Sequence, residues 1–192
     1  MRKILPLLLL TSPALAQDYD LRNLPADYGF VSIEQDARVT LRFLRAEGDV
    51  YFFEQLVVWA DGREETILQH VNRASQTMFF DFGDGQSRYF PHDCAPGVGT
   101  CFYTAQNNDE VVEVKNIGWQ VRDVIIQDEY IKDGEGWLFW NRECTIFDEY
   151  GFWVDYVRTY WDGETEAGYR AQSIPNRIDE LWRICDPVAA LS

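Results

Sequence analysis

The chain has 192 residues, of which 46% are hydrophobic and 15% aromatic, and its formal net charge is −15. A surface this acidic repels phosphate backbones and anionic lipid headgroups, which argues against nucleic acid and membrane surfaces as partners. The length suits a single domain, and the many aromatic residues favour strands over helices.

Residues 1–16 have the pattern of a secretory signal peptide. Arg2 and Lys3 precede an apolar run, which ends at the small-x-small cleavage pattern Ala14-Leu15-Ala16. The apolar run is too short to span a bilayer. We therefore expect cleavage after Ala16, a single β-rich domain over residues 17–192, a periplasmic or extracellular location, and no membrane span.

Four Asp-Gly dipeptides lie between strand-like segments of the chain. They are Asp61-Gly62, Asp84-Gly85, Asp133-Gly134 and Asp162-Gly163. Both residues tolerate the positive φ that a tight type I′ hairpin turn requires. Together with other turn signals, they predict an antiparallel meander of about nine to eleven strands.

Two segments show the alternation of a strand with two different faces. Val39, Leu41 and Phe43 alternate with polar residues, which predicts one buried face. Within residues 136–147, apolar residues that include Cys144 and Ile146 alternate with the polar residues Asn141, Glu143 and Thr145. The same alternation predicts that Trp137 and Phe139 lie on the polar face. Two partly apolar faces indicate a strand that is covered on both sides, or that faces a cavity or a partner.

The cysteine count is even, which in an exported chain indicates disulfides. Cys94 and Cys101 flank a short loop containing Pro and Gly, so we pair them with each other. That leaves Cys144 paired with Cys185, which would tie the C-terminal segment to a strand. A zinc site fits less well because the chain has no Cys-x-x-Cys pair, and we predict neither a metal nor a cofactor.

One segment near the C-terminus has the pattern of a helix. Ser173 is suited to cap it, and Ile178, Leu181 and Cys185 fall on one stripe at helical spacing. The alternative is that residues 181–185 extend a final strand.

The histidines and carboxylates of the chain do not form a recognisable catalytic motif. His70 and His92 are the two histidines, and no Gly-x-Ser-x-Gly elbow accompanies them. Carboxylates cluster with tryptophans in the later strands, Asp155 among them, which is the residue combination that glycoside hydrolysis uses. In an acidic chain, such clusters also arise from turns alone.

The meander, the aromatic content, the C-terminal helix and the terminal disulfide resemble the general architecture of a small lipocalin or calycin barrel. The resemblance is architectural, because the only Gly-x-Trp of the chain, Gly151-Phe152-Trp153, lies late in the sequence. A β-sandwich is the alternative fold. An outer-membrane barrel fits less well, because Arg38, Arg42 and Arg158 interrupt strand positions.

The leading hypothesis is a non-enzymatic exported protein that holds a small apolar or amphipathic ligand in an aromatic-lined barrel. Trp137, Phe139, Trp153 and Tyr156 are the predicted lining. One alternative is a module that binds another protein or associates with itself through an exposed aromatic sheet face. The other is a secreted hydrolase that uses carboxylates or His70.

Overall fold

The structure is a computed structural model that describes residues 21–72, 77–82, 87–91, 99–107, 110–173 and 175–186. The predicted signal peptide and its cleavage after Ala16 lie outside these residues, as do Asp84-Gly85, His92 and Cys94.

The described residues are almost entirely β-strand, as the composition predicts. A 3₁₀ turn at Leu21–Asn23 precedes the strands, and one helix, α1 (Ile178–Cys185), follows them. The strands are β1 (Gly29–Glu34), β2 (Ala37–Glu47), β3 (Val50–Trp59), β4 (Glu64–Asn72), β5 (Thr77–Asp81), β6 (Ser87–Pro91), β7 (Gly99–Asn107), β8 (Glu110–Val121), β9 (Val124–Asp133), β10 (Gly136–Phe147), β11 (Trp153–Tyr160) and β12 (Thr165–Arg170).

All of these strands belong to one antiparallel sheet. Each strand pairs with the strands before and after it in the chain, and β1 also pairs with β12 through Ser32–Arg170 and Glu34–Gly168. The predicted antiparallel meander is therefore confirmed. One continuous sheet stands in place of the two packed sheets of the alternative β-sandwich.

The Asp-Gly dipeptides that the structure describes lie at hairpin turns, as predicted. Gly62, Gly134 and Gly163 have φ angles of 84°, 57° and 88°, and they connect β3 to β4, β9 to β10 and β11 to β12. A side chain at these positions would strain the backbone, because L-residues other than Gly rarely adopt positive φ.

We call the face of the sheet that points away from α1 the inner face. On β2 it carries Val39 and Leu41, which are 4% and 2% exposed, so the predicted alternation is confirmed there. A cluster of buried apolar side chains lies on this face. Its members are Leu21, Phe30, Val39, Leu41, Tyr51, Phe53, Val57, Ile67, Val71, Phe80, Phe82, Tyr103, Val114 and Phe152.

Helix α1 covers the opposite, outer face of β9, β10 and β11. Leu181 and Cys185 of the helix pack with Ile126, Cys144 and Val157 of these strands in a second buried cluster. The sulfur atoms of Cys144 and Cys185 lie at disulfide-bonding distance, which is the predicted pairing. Cys101 is also disulfide-bonded, while its predicted partner Cys94 lies outside the described residues.

The helix begins at Ile178 rather than at Ser173. The carboxylate of Asp155 on β11 accepts a hydrogen bond of 2.9 Å from the backbone N–H of Arg177, which anchors the chain just before the helix. Residues 181–185 are helical, so the alternative of a final strand there is wrong. No helix in the described part of the chain combines the length and the apolar character needed to cross a membrane.

Candidate functional site

Buried polar side chains cover the inner face of β8 to β12 and of β1. We call this set the polar wall. Most of its members are less than a tenth exposed, and Glu166 is partly buried. They are Glu34, Asn116, Gln127, Glu129, Asn141, Glu143, Thr145, Tyr156, Arg158 and Glu166.

The strand register brings these residues together. Directly opposite residues of neighbouring strands share a face, so each aligned set forms a row across the sheet. One row runs Asn116, Glu129, Asn141, Tyr160, and the next runs Gln127, Glu143, Arg158, Glu166. The sequence positions of these residues are widely spread, and the pairing alone makes them neighbours.

Arg158 lies at the centre of the polar wall and is 2% exposed. Its Nε donates to Glu143 Oε2 at 2.9 Å, and a second guanidinium nitrogen bonds the same carboxylate. The third nitrogen lies 3.2 Å from a carboxylate oxygen of Glu166 and 3.2 Å from the hydroxyl of Tyr160. A buried charge is tolerated only when it is paired in this way, so the position of Arg158 depends on these partners.

Glu129 forms a second centre in the polar wall. The hydroxyl of Tyr103 donates to one of its carboxylate oxygens at 2.7 Å, and Asn141 Nδ2 donates to the other at 2.8 Å. Burial and the nearby negative charge of Glu129 raise the pKa of the Tyr103 hydroxyl. Tyr103 is therefore held as a neutral donor.

Glu34 is a fully buried carboxyl group of the wall. The Ser32 hydroxyl donates to it over 3.3 Å, the neighbouring Tyr156 hydroxyl also favours its charged form, and Arg158 and Glu166 act on it through their charges. Burial, followed by the negative charge of Glu166, raises the pKa of Glu34 to about 8, against an ordinary value of 4.5. At neutral pH its carboxyl group therefore carries a proton.

Gly168 lets the ring of Tyr156 lie against the neighbouring strand beside Glu34. A Cβ atom at position 168 would come within 2.4 Å of Tyr156 Cε1 and 3.2 Å of Glu34 Cγ. The absence of a side chain at this position is what brings the phenol and the carboxyl group together.

Several polar atoms on the inner face have no hydrogen-bond partner among the described residues. They are Gln55 Oε1, Asn116 Nδ2, Gln127 Nε2, Asn141 Oδ1, Trp153 Nε1 and the Tyr156 hydroxyl, and each belongs to a side chain that is 1–5% exposed. An unpaired buried polar group costs about 1–3 kcal/mol, so these atoms favour the approach of another polar molecule.

The inner faces of β2 to β5 are mostly apolar, and we call them the apolar wall. Val39, Val57, Ile67 and Phe80 are all at most 4% exposed there. The polar pair on this wall is Gln55 with Gln69, which share a hydrogen bond of 2.7 Å. The two walls therefore give the inner face one polar and one apolar part.

The four predicted lining residues do not come together. Trp153 and Tyr156 are buried on the inner face, where their rings are 4.9 Å apart. Trp137 and Phe139 lie on the outer face, where Trp137 contacts the half-exposed ring of Phe102 and Phe139 is 39% exposed.

A β-bulge explains this split. The pairing of β10 with β9 shifts between Phe139 and Asn141, so Trp140 has no direct partner on β9. One extra residue reverses the face of every side chain beyond it. The expectation that Trp137 and Phe139 share a face with Asn141 and Glu143 is therefore wrong.

The residues considered for hydrolysis lie apart from the polar wall. His70 is on the outer face of β4, where its ring contacts Phe52 and Phe79, and burial lowers the pKa of its imidazole. Asp155 faces α1 and accepts the backbone hydrogen bond of Arg177. The structure therefore does not bring these two residues together into one site.

A groove of about 690 Å³ lies on the outer face beside α1. Phe139, Tyr130 and Trp182 line it, together with an ion pair in which Arg142 bonds both carboxylate oxygens of Asp128, at 2.6 and 2.8 Å. Because Arg142 and Asp128 are already paired with each other, the groove makes a weaker case for a ligand than the inner face does.

Sequence analysis missed Arg158 and Glu34 as members of a site. In the sequence Arg158 indicates only an interruption of a strand, although it lies two residues after Tyr156 on β11 and therefore shares its face.

Comparisons of the chain with protein-family models, with curated proteins and with solved structures find no match.

The raised pKa of Glu34 predicts how stability depends on pH. The folded protein binds this proton more tightly than the unfolded chain, so the contribution is fully present below about pH 4.5 and is lost as the pH rises towards 8. The melting temperature of Glu34→Gln should therefore change less between about pH 5 and pH 8 than that of the wild type. At pH 8 the variant should have the higher melting temperature. The exposed Glu113→Gln is the control, and parallel curves for wild type and Glu34→Gln would contradict the assignment.

Removing Arg158 should leave Glu143 and Glu166 buried without a cation. We expect Arg158→Met to lower the free energy of unfolding by roughly 3–5 kcal/mol. The triple variant, which combines Arg158→Met with Glu143→Gln and Glu166→Gln, should recover much of that loss. Arg42→Met removes an ion pair with Glu54 whose two side chains are 65% and 33% exposed, so it should cost less than about 1 kcal/mol. Urea unfolding measures all three, and equal losses for Arg158→Met and Arg42→Met would refute the role of Arg158.

Proposed function

We propose that the protein is an exported, non-enzymatic binding protein that holds a small amphipathic molecule between the polar wall and the apolar wall. In this proposal the sheet is closed into a small barrel, and the two walls face each other across its interior.

Two contacts support the barrel. The pairing of β1 with β12 joins the first strand of the sheet to the last. The rings of Phe53 on β3 and Phe152 in the β10–β11 turn are 5.2 Å apart, although these elements are far apart in the order of the strands. An eight-stranded barrel is just wide enough for its own side chains, and the diameter grows with the number of strands, so twelve strands leave room for a ligand.

The observation that carries the proposal is the set of unpartnered polar atoms on an otherwise well-paired wall. Gln127 and Asn141 are each 2% exposed, and each leaves a polar atom unsatisfied. A molecule with a polar head and an apolar tail would pair these atoms and also bury its tail against Val57, Ile67 and Phe80. Ligand sites are typically apolar with a few such placed polar groups.

The proposal of an exported location rests on the N-terminal pattern, and the Cys144–Cys185 pair is consistent with it. Disulfides persist in oxidising compartments. We expect the ligand to be one that occurs outside the cytoplasm.

Native mass spectrometry of protein purified from the exported fraction of its own cells tests the proposal. We expect a native monomer that is heavier than the denatured chain by the mass of one small molecule. Gln127→Leu removes an unpartnered donor of the polar wall and should reduce the fraction of protein that carries this mass. Gln120→Leu is the matched control, because Gln120 is an exposed residue of β8.

The other outcomes of this measurement contradict the proposal in different ways. A monomer without added mass in both the wild type and Gln120→Leu would count against a carried ligand. A dimer would favour self-association through the outer face, where Phe102 and Phe139 are 53% and 39% exposed.

A further inference from the structure

Two unpartnered donors are neighbours on the polar wall. Asn116 Nδ2 on β8 and Gln127 Nε2 on β9 have no hydrogen-bond partner among the described residues, and both side chains are 2% exposed. Asn116 pairs with Glu129, which lies two residues after Gln127 on the same strand, so Asn116 and Gln127 are diagonal neighbours on one face. One oxygen atom of a ligand is therefore able to accept from both.

The residue directly opposite Gln127 on β8 is a glycine. Gln127 pairs with Gly118, which is buried and lies two residues after Asn116 on the inner face. A glycine inside a strand often marks a place where another molecule approaches the backbone closely. Gly118 therefore puts no side chain of β8 in competition for the amide of Gln127.

An unpartnered acceptor lies on the other side of Gln127. Asn141 on β10 pairs with Glu129, so it is also a diagonal neighbour of Gln127. Its Nδ2 donates to Glu129 at 2.8 Å, which fixes the orientation of the amide and leaves Oδ1 without a donor among the described residues. Gln127 is thus one strand away from Asn116 and one strand away from Asn141.

The spacing of these three side chains suits a group with two polar atoms. Neighbouring strands lie about 4.8 Å apart, and Asn116 and Asn141 are two strands apart. A carboxamide holds its oxygen and nitrogen about 2.2 Å apart, and with a hydrogen bond at each end it spans about 8 Å. The amide of Asn141 leans towards β9 to reach Glu129, which shortens the distance that the ligand has to span.

From this arrangement we propose that the polar head of the ligand is a neutral carboxamide group. Its carbonyl oxygen accepts from Gln127 and Asn116, and its N–H group donates to Asn141 Oδ1. This inference rests on the proposed binding function. A carboxamide presents an acceptor and a donor side by side, which complements the donors and the acceptor that the wall leaves unpartnered.

Charged heads complement these side chains less well. A carboxylate offers no donor to Asn141 Oδ1. It would also lie near Glu129 and Glu143, which are neighbours of Gln127 on the wall, and their negative charges would repel it. An ammonium group offers no acceptor to the amide donors of Asn116 and Gln127.

The other unpartnered atoms of the inner face lie away from this group. Trp153 Nε1 and the Tyr156 hydroxyl belong to β11, two strands from Gln127, and Gln55 Oε1 belongs to β3 in the apolar wall. They lie outside the proposed site of the head group.

Four probes with the same chain length separate the chemistry of the head from apolar binding. Octanamide, N,N-dimethyloctanamide, octanoate and octylammonium are each titrated into the full protein at neutral pH, and calorimetry reports binding. We expect octanamide to bind roughly tenfold or more tightly than N,N-dimethyloctanamide, which keeps the carbonyl oxygen but has no N–H group for Asn141. Octanoate and octylammonium should also bind more weakly than octanamide.

A variant assigns this preference to the wall. Gln127→Met removes a donor from the site, so it should weaken the binding of octanamide roughly tenfold. It also replaces an unpartnered buried amide with an apolar side chain, so its melting temperature should be no lower than that of the wild type. Gln120→Met, at an exposed position of β8, is the matched control and should leave the affinity unchanged.

Three results with the variants would overturn the assignment. They are an unchanged affinity of Gln127→Met for octanamide, an equal loss of affinity in Gln127→Met and Gln120→Met, and a melting temperature of Gln127→Met below that of the wild type. The last result would mean that the amide of Gln127 already has a partner in the folded protein.

The results with the probes separate the inference from the function it rests on. Equal affinity for octanamide and N,N-dimethyloctanamide, or tightest binding of octanoate or octylammonium, would overturn the carboxamide head and leave an amphiphile-binding protein in place. Binding of none of the four probes would overturn both.

Discussion

The inner face of this sheet is built around a buried guanidinium. Arg158 is 2% exposed, and a charge in that position requires Glu143 and Glu166 beside it. Those two residues come from the strands on either side of β11, so the ion pairs also depend on the register of β10 and β12. The same register places Glu34 and Tyr156 next to one another across Gly168. The charge network and the strand pairing therefore support each other.

Helix α1 explains how the structure accommodates a polar inner face. Strands β9 to β11 are buried on both sides, with apolar residues such as Ile126 and Val157 under the helix and Gln127 and Arg158 on the inner face. The helix packs an apolar core against the outer side of these strands, and the Cys144–Cys185 disulfide holds it there. Because the strands are already stabilised by this core, their inner side is able to carry polar residues. The apolar wall of β2 to β5 gives the same inner face a second, chemically different part.

Sequence reasoning located the strands and turns better than it located the site. The sequence predicts the buried face of β2 and the Asp-Gly turns correctly, because both depend on local sequence. On β10 the alternation indicates two different faces, but only the helix, which is distant in sequence, decides that Cys144 faces outward and Glu143 inward. The bulge after Phe139 adds one residue that the sequence pattern does not mark, and it places Trp137 and Phe139 on the outer face. Arg158 and Glu34 become neighbours only through strand pairing.

We propose that the protein binds its ligand at the polar wall. Side-chain amide NMR tests it directly, because the amide groups of Gln127 and Asn141 lie on the wall while the side chain of Gln35 is exposed in the β1–β2 turn. On addition of octanol, a small amphipathic probe, we predict saturable shifts of the Gln127 and Asn141 amide signals and an unchanged Gln35 signal. Shifts confined to exposed or outer-face amides, with Gln127 and Asn141 unmoved, would contradict the account.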